Sequence, residues 1–266
     1  MQKKAVVVQD ISCFGKCSAS VALPILAHKN IETAILPTAL FSAHTAFPKY
    51  TCKPLTGMMK DTVNDWRELG LRFDGIFTGY MLNTEQTEIV YDFVAELKKE
   101  NALVLVDPVM GDDGKPYSLL SEESAGGLAR LCSLADVITP NLTEAAMLLG
   151  KTPVIENYDR DYISDLLFSL HALGCRVPMI TGVSFNKEEI GAAFLKDGTV
   201  RYAFSKKRPN VTCGTGDTFA SVLFACMLSG QPVESALDAA LKVTDKAIEN
   251  SDTWYGLAFE SALEDF

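Results

Sequence analysis

The chain has 266 residues, 48% of them hydrophobic, which suits one large α/β domain or two small ones. Its 24 basic and 34 acidic residues leave a net charge of −10 without a basic run, so nucleic acid and anionic membrane are poor partners. The seven cysteines are scattered with no C-x-x-C pair and the three histidines lie apart, which reads as reduced intracellular thiols rather than a disulfide framework or a zinc site. No run reaches the length of a membrane span, and the first apolar stretch is too short for a secretion leader, so the expected location is cytoplasmic.

Along the chain, short apolar runs alternate with helical patterns. Residues 5–8, 33–36, 75–77, 103–106, 137–138 and 178–180 read as buried strands. Residues 18–29, 57–69, 85–100, 121–132, 142–149, 158–173, 216–228 and 233–250 read as helices. Such alternation predicts an α/β fold with a mostly parallel sheet covered on both faces. Residues 190–195 and 199–204, joined around Asp197-Gly198, predict an antiparallel hairpin. With no repeat, low-complexity tract or linker, 1–266 is expected to form one domain.

Ligands of such sheets bind beyond the carboxyl ends of the strands, and polar residues recur there. Asp10 follows the first run and Thr78-Gly79-Tyr80 the third. Asp107-Pro108-Val109-Met110-Gly111-Asp112 follows the fourth, Thr139-Pro140-Asn141 the fifth and Thr181-Gly182 the sixth. Caps and turns would produce some of these residues as well.

The most informative segment is Gly214-Thr215-Gly216-Asp217, just before an apolar helical run. Two glycines at a helix start let backbone N–H groups converge on an anion, and the helix end adds partial positive charge. A carboxylate there should repel that anion, unless Asp217 faces a hydroxyl that must lose its proton. An anion cradle beside a base suggests phosphoryl transfer; read locally, Asp217 is equally a helix N-cap. No Walker loop or third glycine of a dinucleotide fingerprint is present.

Phosphoryl transfer also asks for a metal. Asp107, Asp112 and Glu144 are candidate Mg²⁺ ligands, directly or through water. Each has a plainer reading: Asp107 as an Asp-Pro turn, Glu144 as a first-turn helix acid, and Asn141 as that helix's cap. Residues 110–117 are polar and glycine-rich, as a lid excluding water would be. Residues 41–54, with His44, Phe47 and Tyr50, predict a second, aromatic flap.

Together, Phe41-Ser42-Ala43-His44-Thr45, Thr78-Gly79-Tyr80, the Asp107–Asp112 segment, Thr139-Pro140-Asn141 with Glu144, and Gly214–Asp217 resemble the vitamin B6 kinases of the ribokinase-like superfamily, over nearly the whole chain. The resemblance implies a three-layer α/β/α sandwich with a central, mostly parallel sheet, and a homodimer. It implies ATP as phosphoryl donor, a small heterocyclic alcohol as acceptor, Mg²⁺, and K⁺ as a candidate activator. By the same resemblance, Asp217 is the base on the 5′-hydroxymethyl group, and Gly214, Thr215 and Gly216 form the anion hole. Asp107, Asp112, Asn141 and Glu144 organise Mg²⁺ and the phosphates, with Thr181 against the phosphates. Residues 203–211, including Lys206, border the adenine pocket. Thr45 and Tyr80 line the pyridine pocket, Asp112 and Tyr117 belong to the lid, and the family's glycine near the first helix is Gly15.

One position departs from the pattern. Asp10 stands where B6 kinases usually carry a serine on the polar edge of the pyridine ring. Asp10-Ile11-Ser12 is similar to the Ser-Asp start of the hydroxymethylpyrimidine kinases. A carboxylate there would favour an amine-bearing ring, either the amine form of the vitamin or an aminopyrimidine. Alternatives are therefore a hydroxymethylpyrimidine kinase and a non-catalytic B6-binding relative.

Overall fold

A computed structural model describes residues 2–117, 124–209 and 213–266. Its elements begin with β1 (Lys4–Ser12), α1 (Ala19–His28), β2 (Glu32–Phe41), β3 (Cys52–Pro54), α2 (Thr56–Glu68) and β4 (Phe73–Thr78). They continue through α3 (Thr84–Leu97), β5 (Lys98–Val106), β6 (Gly111–Asp112), β7 (Lys115–Pro116), α4 (Ser124–Cys132), β8 (Val137–Ile138), α5 (Leu142–Leu148) and α6 (Arg160–Ala172). The last are β9 (Val177–Val183), β10 (Glu189–Lys196), β11 (Thr199–Lys206), α7 (Thr215–Leu228), α8 (Val233–Glu249) and α9 (Phe259–Ala262). Nine strands follow the sheet order β11-β10-β9-β8-β5-β4-β1-β2-β3, the α/β class that the strand–helix alternation predicts.

Two compact units divide these elements, neither contiguous in sequence: Met1–Gly79 with Leu97–Leu103 and Arg208–Phe266, and Tyr80–Glu96 with Val104–Lys207. Strand β5 contributes residues to both.

The first unit is organised by β1. Ala5 to Val8 are fully buried, as expected of a strand covered on both faces. Strand β1 pairs in parallel with β2 and with β4. Its register against β2 shifts between Gln9 and Ile11. The strand therefore does not end before Asp10, as its apolar pattern suggests; it runs through a bulge to Ser12. A bulge re-aims the side chain it carries, here Asp10. Helix α7 is apolar nearly all round, with Thr218 to Cys226 buried throughout, so it belongs in the interior. Its Phe224 stacks on Phe77 of β4 at 5.4 Å. This approach requires Gly75, where a Cβ would come within 2.7 Å of the Phe224 ring and 2.9 Å of Leu228. Helix α8 buries Val233, Ala236, Leu237, Ala240, Val243 and Ala247 in one stripe and packs on α7.

In the second unit, β5, β8 and β9 are parallel neighbours, and β10 joins β9 antiparallel. The β10–β11 hairpin predicted around Asp197-Gly198 is present, with both turn residues at positive φ (51° and 71°). Helix α3 stops at Leu97, short of the expected 100. Lys98 begins β5 at once, so charged residues read as a helix tail are the start of a strand. The expected 121–132 helix is described from Ser124 onward, and its first residues lie outside the described part.

The segment 110–117, expected as a lid, is an ordered turn of chain. It is a β6–β7 hairpin turning on Asp113 and Gly114, both at positive φ (48° and 75°). Gly111 is required there, because a Cβ would collide with the Lys115 carbonyl. Tyr117 closes the hairpin's base, its N–H donating to the Met110 carbonyl at 2.9 Å.

Candidate active site

In the first unit, the site is built on the start of α7. Gly214 is the N-cap and is left-handed (φ 86°, ψ 10°); a Cβ there would collide with the Lys16 carbonyl. Thr215, Gly216 and Asp217 make the first turn, whose N–H groups have no intrahelical acceptors. A Cβ on Gly216 would meet nothing within 4 Å among the described residues, which leaves this turn room for a ligand. Asp217 is not the helix cap that a local reading allows. Gly214 holds that place, and no side chain caps the helix. Val211 and Thr212, just upstream, lie outside the described residues.

The Asp217 carboxylate instead accepts the Ser18 backbone N–H, and burial raises its pKa above the usual 3.8. Ser18 is bifunctional. It occupies the N-cap of α1 at φ 50°, yet its hydroxyl caps nothing and donates to Asp10. Asp10 is 5% exposed, and the Ser12 hydroxyl also lies 3.5 Å from its carboxylate. Burial, reinforced by the nearby Asp217 charge, pushes Asp10 up to about 6. Among the described residues, no Lys, Arg or His forms an ion pair with either acid. A buried carboxylate and a half-buried one thus lie near each other without a counter-cation among the described residues.

Ser12 and Ser18 escape a sequence reading because nothing local marks them. Beside them, the Gln9 side chain is fully buried, and neither amide atom has a hydrogen-bond partner. A Cβ on Gly79 would come within 2.8 Å of that amide. The β2–β3 connection carries His44 and Thr45. His44 accepts the Ala46 N–H at Nδ1 (3.1 Å), and burial lowers its pKa. Thr45 is exposed on a turn. Gly15 is left-handed (φ 105°) and close enough to His44 that a Cβ would lie 2.8 Å from the His44 Cβ.

In the second unit, the expected nucleotide-side residues collect at the start of α5. Asn141 and Glu144 form a reciprocal capping box. The Glu144 N–H donates to Asn141 Oδ1 at 2.9 Å, and the Asn141 N–H donates to Glu144 Oε2 at 2.8 Å. The box is tied to the hairpin as well. The Met110 N–H donates to Glu144 Oε1 (3.0 Å), Asn141 Nδ2 to the Gly111 carbonyl (2.8 Å), and the Gly114 N–H to Thr143 Oγ1 (2.9 Å). Asp107 is 8% exposed and accepts the Thr139 hydroxyl at 3.2 Å. Burial, and then the Asp107 charge, drive the Glu144 pKa well above its usual 4.5. The plain reading of Asn141 and Glu144 as a helix start is therefore correct, and a buried carboxylate pair is superimposed on it.

Two expected placements differ here. Asp112 does not join Asp107 and Glu144: it is exposed on the hairpin, accepting the Asp113 N–H at 2.9 Å. Among the described residues, no group of three or more His, Cys, Asp or Glu is placed to hold a metal ion. Thr181 lies within β9 rather than after it, because the strand continues to Val183; its N–H donates to the Pro140 carbonyl at 2.9 Å. Lys206 ends β11 and lines an open cleft of ≈ 620 Å³ with Lys187, Glu188, Glu189, Phe204, Ser205 and Lys207. Of the expected 203–211 border, residues 210 and 211 lie outside the described part. Tyr80 is half-buried directly after β4, and Tyr117 is 43% exposed.

A fold of this class with paired carboxylates and a glycine turn at a buried helix matches known small-molecule kinases. The phosphomethylpyrimidine kinase family matches residues 45–257. The pyridoxine kinase of Bacillus subtilis is 30% identical over 184 residues, which cover 68% of this chain and 66% of that enzyme, just under two thirds of its length. A Bacteroides thetaiotaomicron protein assigned as a phosphomethylpyrimidine kinase, solved with pyridoxal, is 31% identical with a TM-score of 0.93, covering 100% of this chain and 96% of that one. The pyridoxal kinase of Lactobacillus plantarum is 28% identical with a TM-score of 0.92, at the same coverages. The chain belongs to the phosphomethylpyrimidine kinase family.

Proposed function

We propose that this protein transfers the terminal phosphoryl group of ATP to the hydroxymethyl oxygen of a B6 vitamer. The observation that carries this reading is Asp217, a carboxylate of raised pKa in the same helical turn as an open row of N–H donors. Asp217 takes the proton of the attacking hydroxyl, and the N–H groups of Gly214, Thr215 and Gly216 hold the transferring phosphoryl oxygens. Asp10 meets the polar edge or amine of the ring, with Thr45 as a wall of the acceptor pocket; the resemblance to B6 kinases assigns Tyr80 to the acceptor as well. On the nucleotide side, Thr181 contacts the phosphates, the Lys206 cleft borders the base, and the hairpin bearing Asp112 and Tyr117 shields the phosphates from water.

The mutual repulsion of Asp107 and Glu144 fits a divalent cation. Mg²⁺ commonly uses only one or two carboxylates and takes its remaining ligands from phosphate and water. Bound there, with Asn141 holding Glu144 in place, Mg²⁺ would neutralise phosphate charge. The resemblance to B6 kinases supports cytoplasmic residence, a homodimer and a monovalent activator such as K⁺. Sedimentation at working concentration tests the dimer, and exchange of K⁺ for Na⁺ tests the activator. No helix among the described residues is long and apolar enough to cross a membrane.

The decisive experiment is an ADP-release assay over pyridoxal, pyridoxamine, pyridoxine, hydroxymethylpyrimidine and several sugars, with Mg²⁺ present. Turnover of B6 vitamers above all others is the expected result. A kcat/KM ranked highest for hydroxymethylpyrimidine would instead support the second reading, with which the family match and Asp10 are compatible. No turnover of any acceptor would leave a non-catalytic relative.

A further inference from the structure

Residues 251–258 form neither helix nor strand, yet they are tightly fastened. Their ends are joined through Ser251, whose hydroxyl oxygen accepts the Ala258 N–H at 2.8 Å and donates to the Ala247 carbonyl at 2.6 Å. The Thr253 hydroxyl closes the inner turn on the Gly256 carbonyl at 3.0 Å. Two carbonyls of this strap face the first unit's site. The Trp254 carbonyl accepts the Cys213 N–H at 3.0 Å, directly before Gly214, and the Tyr255 carbonyl accepts the Lys16 N–H at 3.3 Å. Gly256 lies so close to Lys16 that a Cβ would come within 2.6 Å of the Lys16 side chain.

The strap's side chains reach the β2–β3 loop. Phe47 of that loop packs on Trp254 at 4.8 Å and on Tyr255 at 5.8 Å; Phe14 packs on Phe47 at 5.5 Å and on Tyr255 at 5.3 Å. The Phe14 carbonyl also accepts the His44 N–H at 2.8 Å. These rings are not core: Phe14 is 54% and Trp254 50% exposed. Four aromatics clustered at the surface therefore join three segments, 13–18, 42–51 and 251–258, one of which also holds the glycine turn.

We propose that Trp254 and Phe47 are positioning residues for phosphoryl transfer: the Trp254 carbonyl sets the glycine turn while its ring, through Phe47, registers the seating of the acceptor loop. The proposal rests on the reading of 214–217 as the anion hole and of 42–51 as acceptor-side. Its physical basis is that one rigid aromatic residue contacts both parts. A shift of the loop on the acceptor moves the indole, and the peptide joined to that indole holds the first N–H before Gly214. Misplacement of a reacting group by about 1 Å can cost 10²-fold in rate.

The chain has two tryptophans, so Trp66→Phe leaves Trp254 as the single reporter. In Trp66→Phe protein labelled with fluorotryptophan, addition of pyridoxine should move the Trp254 fluorine resonance, and Phe47→Leu should abolish that movement. Phe47→Leu should also lower kcat roughly 10–100-fold with the KM for ATP unchanged, and Phe47→Tyr should restore both. A resonance that stays fixed while wild-type protein turns pyridoxine over would overturn the proposal. So would a Phe47→Leu enzyme with only a raised vitamer KM and unchanged kcat, which would make Phe47 a simple pocket wall. Because the resonance is read without turnover, loss of the kinase reading and loss of the positioning role are separately visible.

Discussion

At the scale of single residues, the proposed function rests on Asp10 and Asp217. Asp217→Asn keeps the shape of the first turn of α7 but cannot accept a proton, so kcat should fall about 10²–10⁴-fold with ATP binding retained. Equal turnover at neutral pH would return Asp217 to a structural role. Asp10 carries a pH dependence whose sign can be worked out. Its folded pKa of about 6 lies above the ordinary 3.8, so the folded chain binds the extra proton between those values. Stability associated with the neutral carboxyl is present below 3.8 and is lost as pH rises through about 6. Above that pH, the charged group costs at most ~3 kcal/mol. Asp10→Asn should therefore raise the melting temperature at neutral pH, and the gain should vanish in acid. The same substitution, or Asp10→Ser, should lower kcat/KM for pyridoxamine more than for pyridoxal. Loss of one charge-assisted hydrogen bond of roughly 1.5–3 kcal/mol corresponds to a selectivity change of about 10–100-fold. An equal fall for both vitamers would show that Asp10 holds the fold rather than choosing the ring.

At the scale of elements, the start of α5 and the β6–β7 hairpin behave as one part. Glu144 closes the capping box with one oxygen and receives the Met110 N–H with the other. Glu144→Gln keeps much of that geometry but removes a charge facing Asp107. The variant should need more Mg²⁺ for half-maximal rate and recover partly at high Mg²⁺, because weakened ion binding is offset by mass action. A Mg²⁺ titration identical to wild type would exclude a metal role for Glu144. That Gly111 to Gly114 form an ordered hairpin is not legible in the sequence, for a specific reason. Gly111, Asp112, Asp113 and Gly114 have the composition of a loose surface loop. What orders them is a tight turn at positive φ together with hydrogen bonds to Asn141 and Thr143, residues remote in the chain.

For the whole molecule, the two compact units predict a division of ligand effects. Amide hydrogen exchange should show that ADP with Mg²⁺ protects residues of the second unit around 107–114 and 139–144, while pyridoxine protects the first unit around 10–18, 42–51 and 213–217. The reverse pattern would invalidate the assignment of nucleotide and acceptor sides. The sequence by itself determined the α/β class, the centres of α1 to α8 and of every strand but β3, β6 and β7, and the placement of Gly214 to Asp217 at the start of a helix. These follow from local rules: buried parallel strands read as continuous apolar runs, helices as amphipathic or buried periods, and glycine as the residue of a left-handed cap. Tertiary structure alone decided where the polar strand ends lie. Pairing with β2 carries β1 through Gln9, Asp10 and Ser12, and Thr181 is held inside β9 by the Pro140 carbonyl. It alone joined Asp10 to Asp217 through the two ends of Ser18, separated Asp112 from Asp107 and Glu144, and bound the 251–258 strap to the glycine turn. Each depends on contacts between segments far apart in the chain, for which no local periodicity leaves a trace.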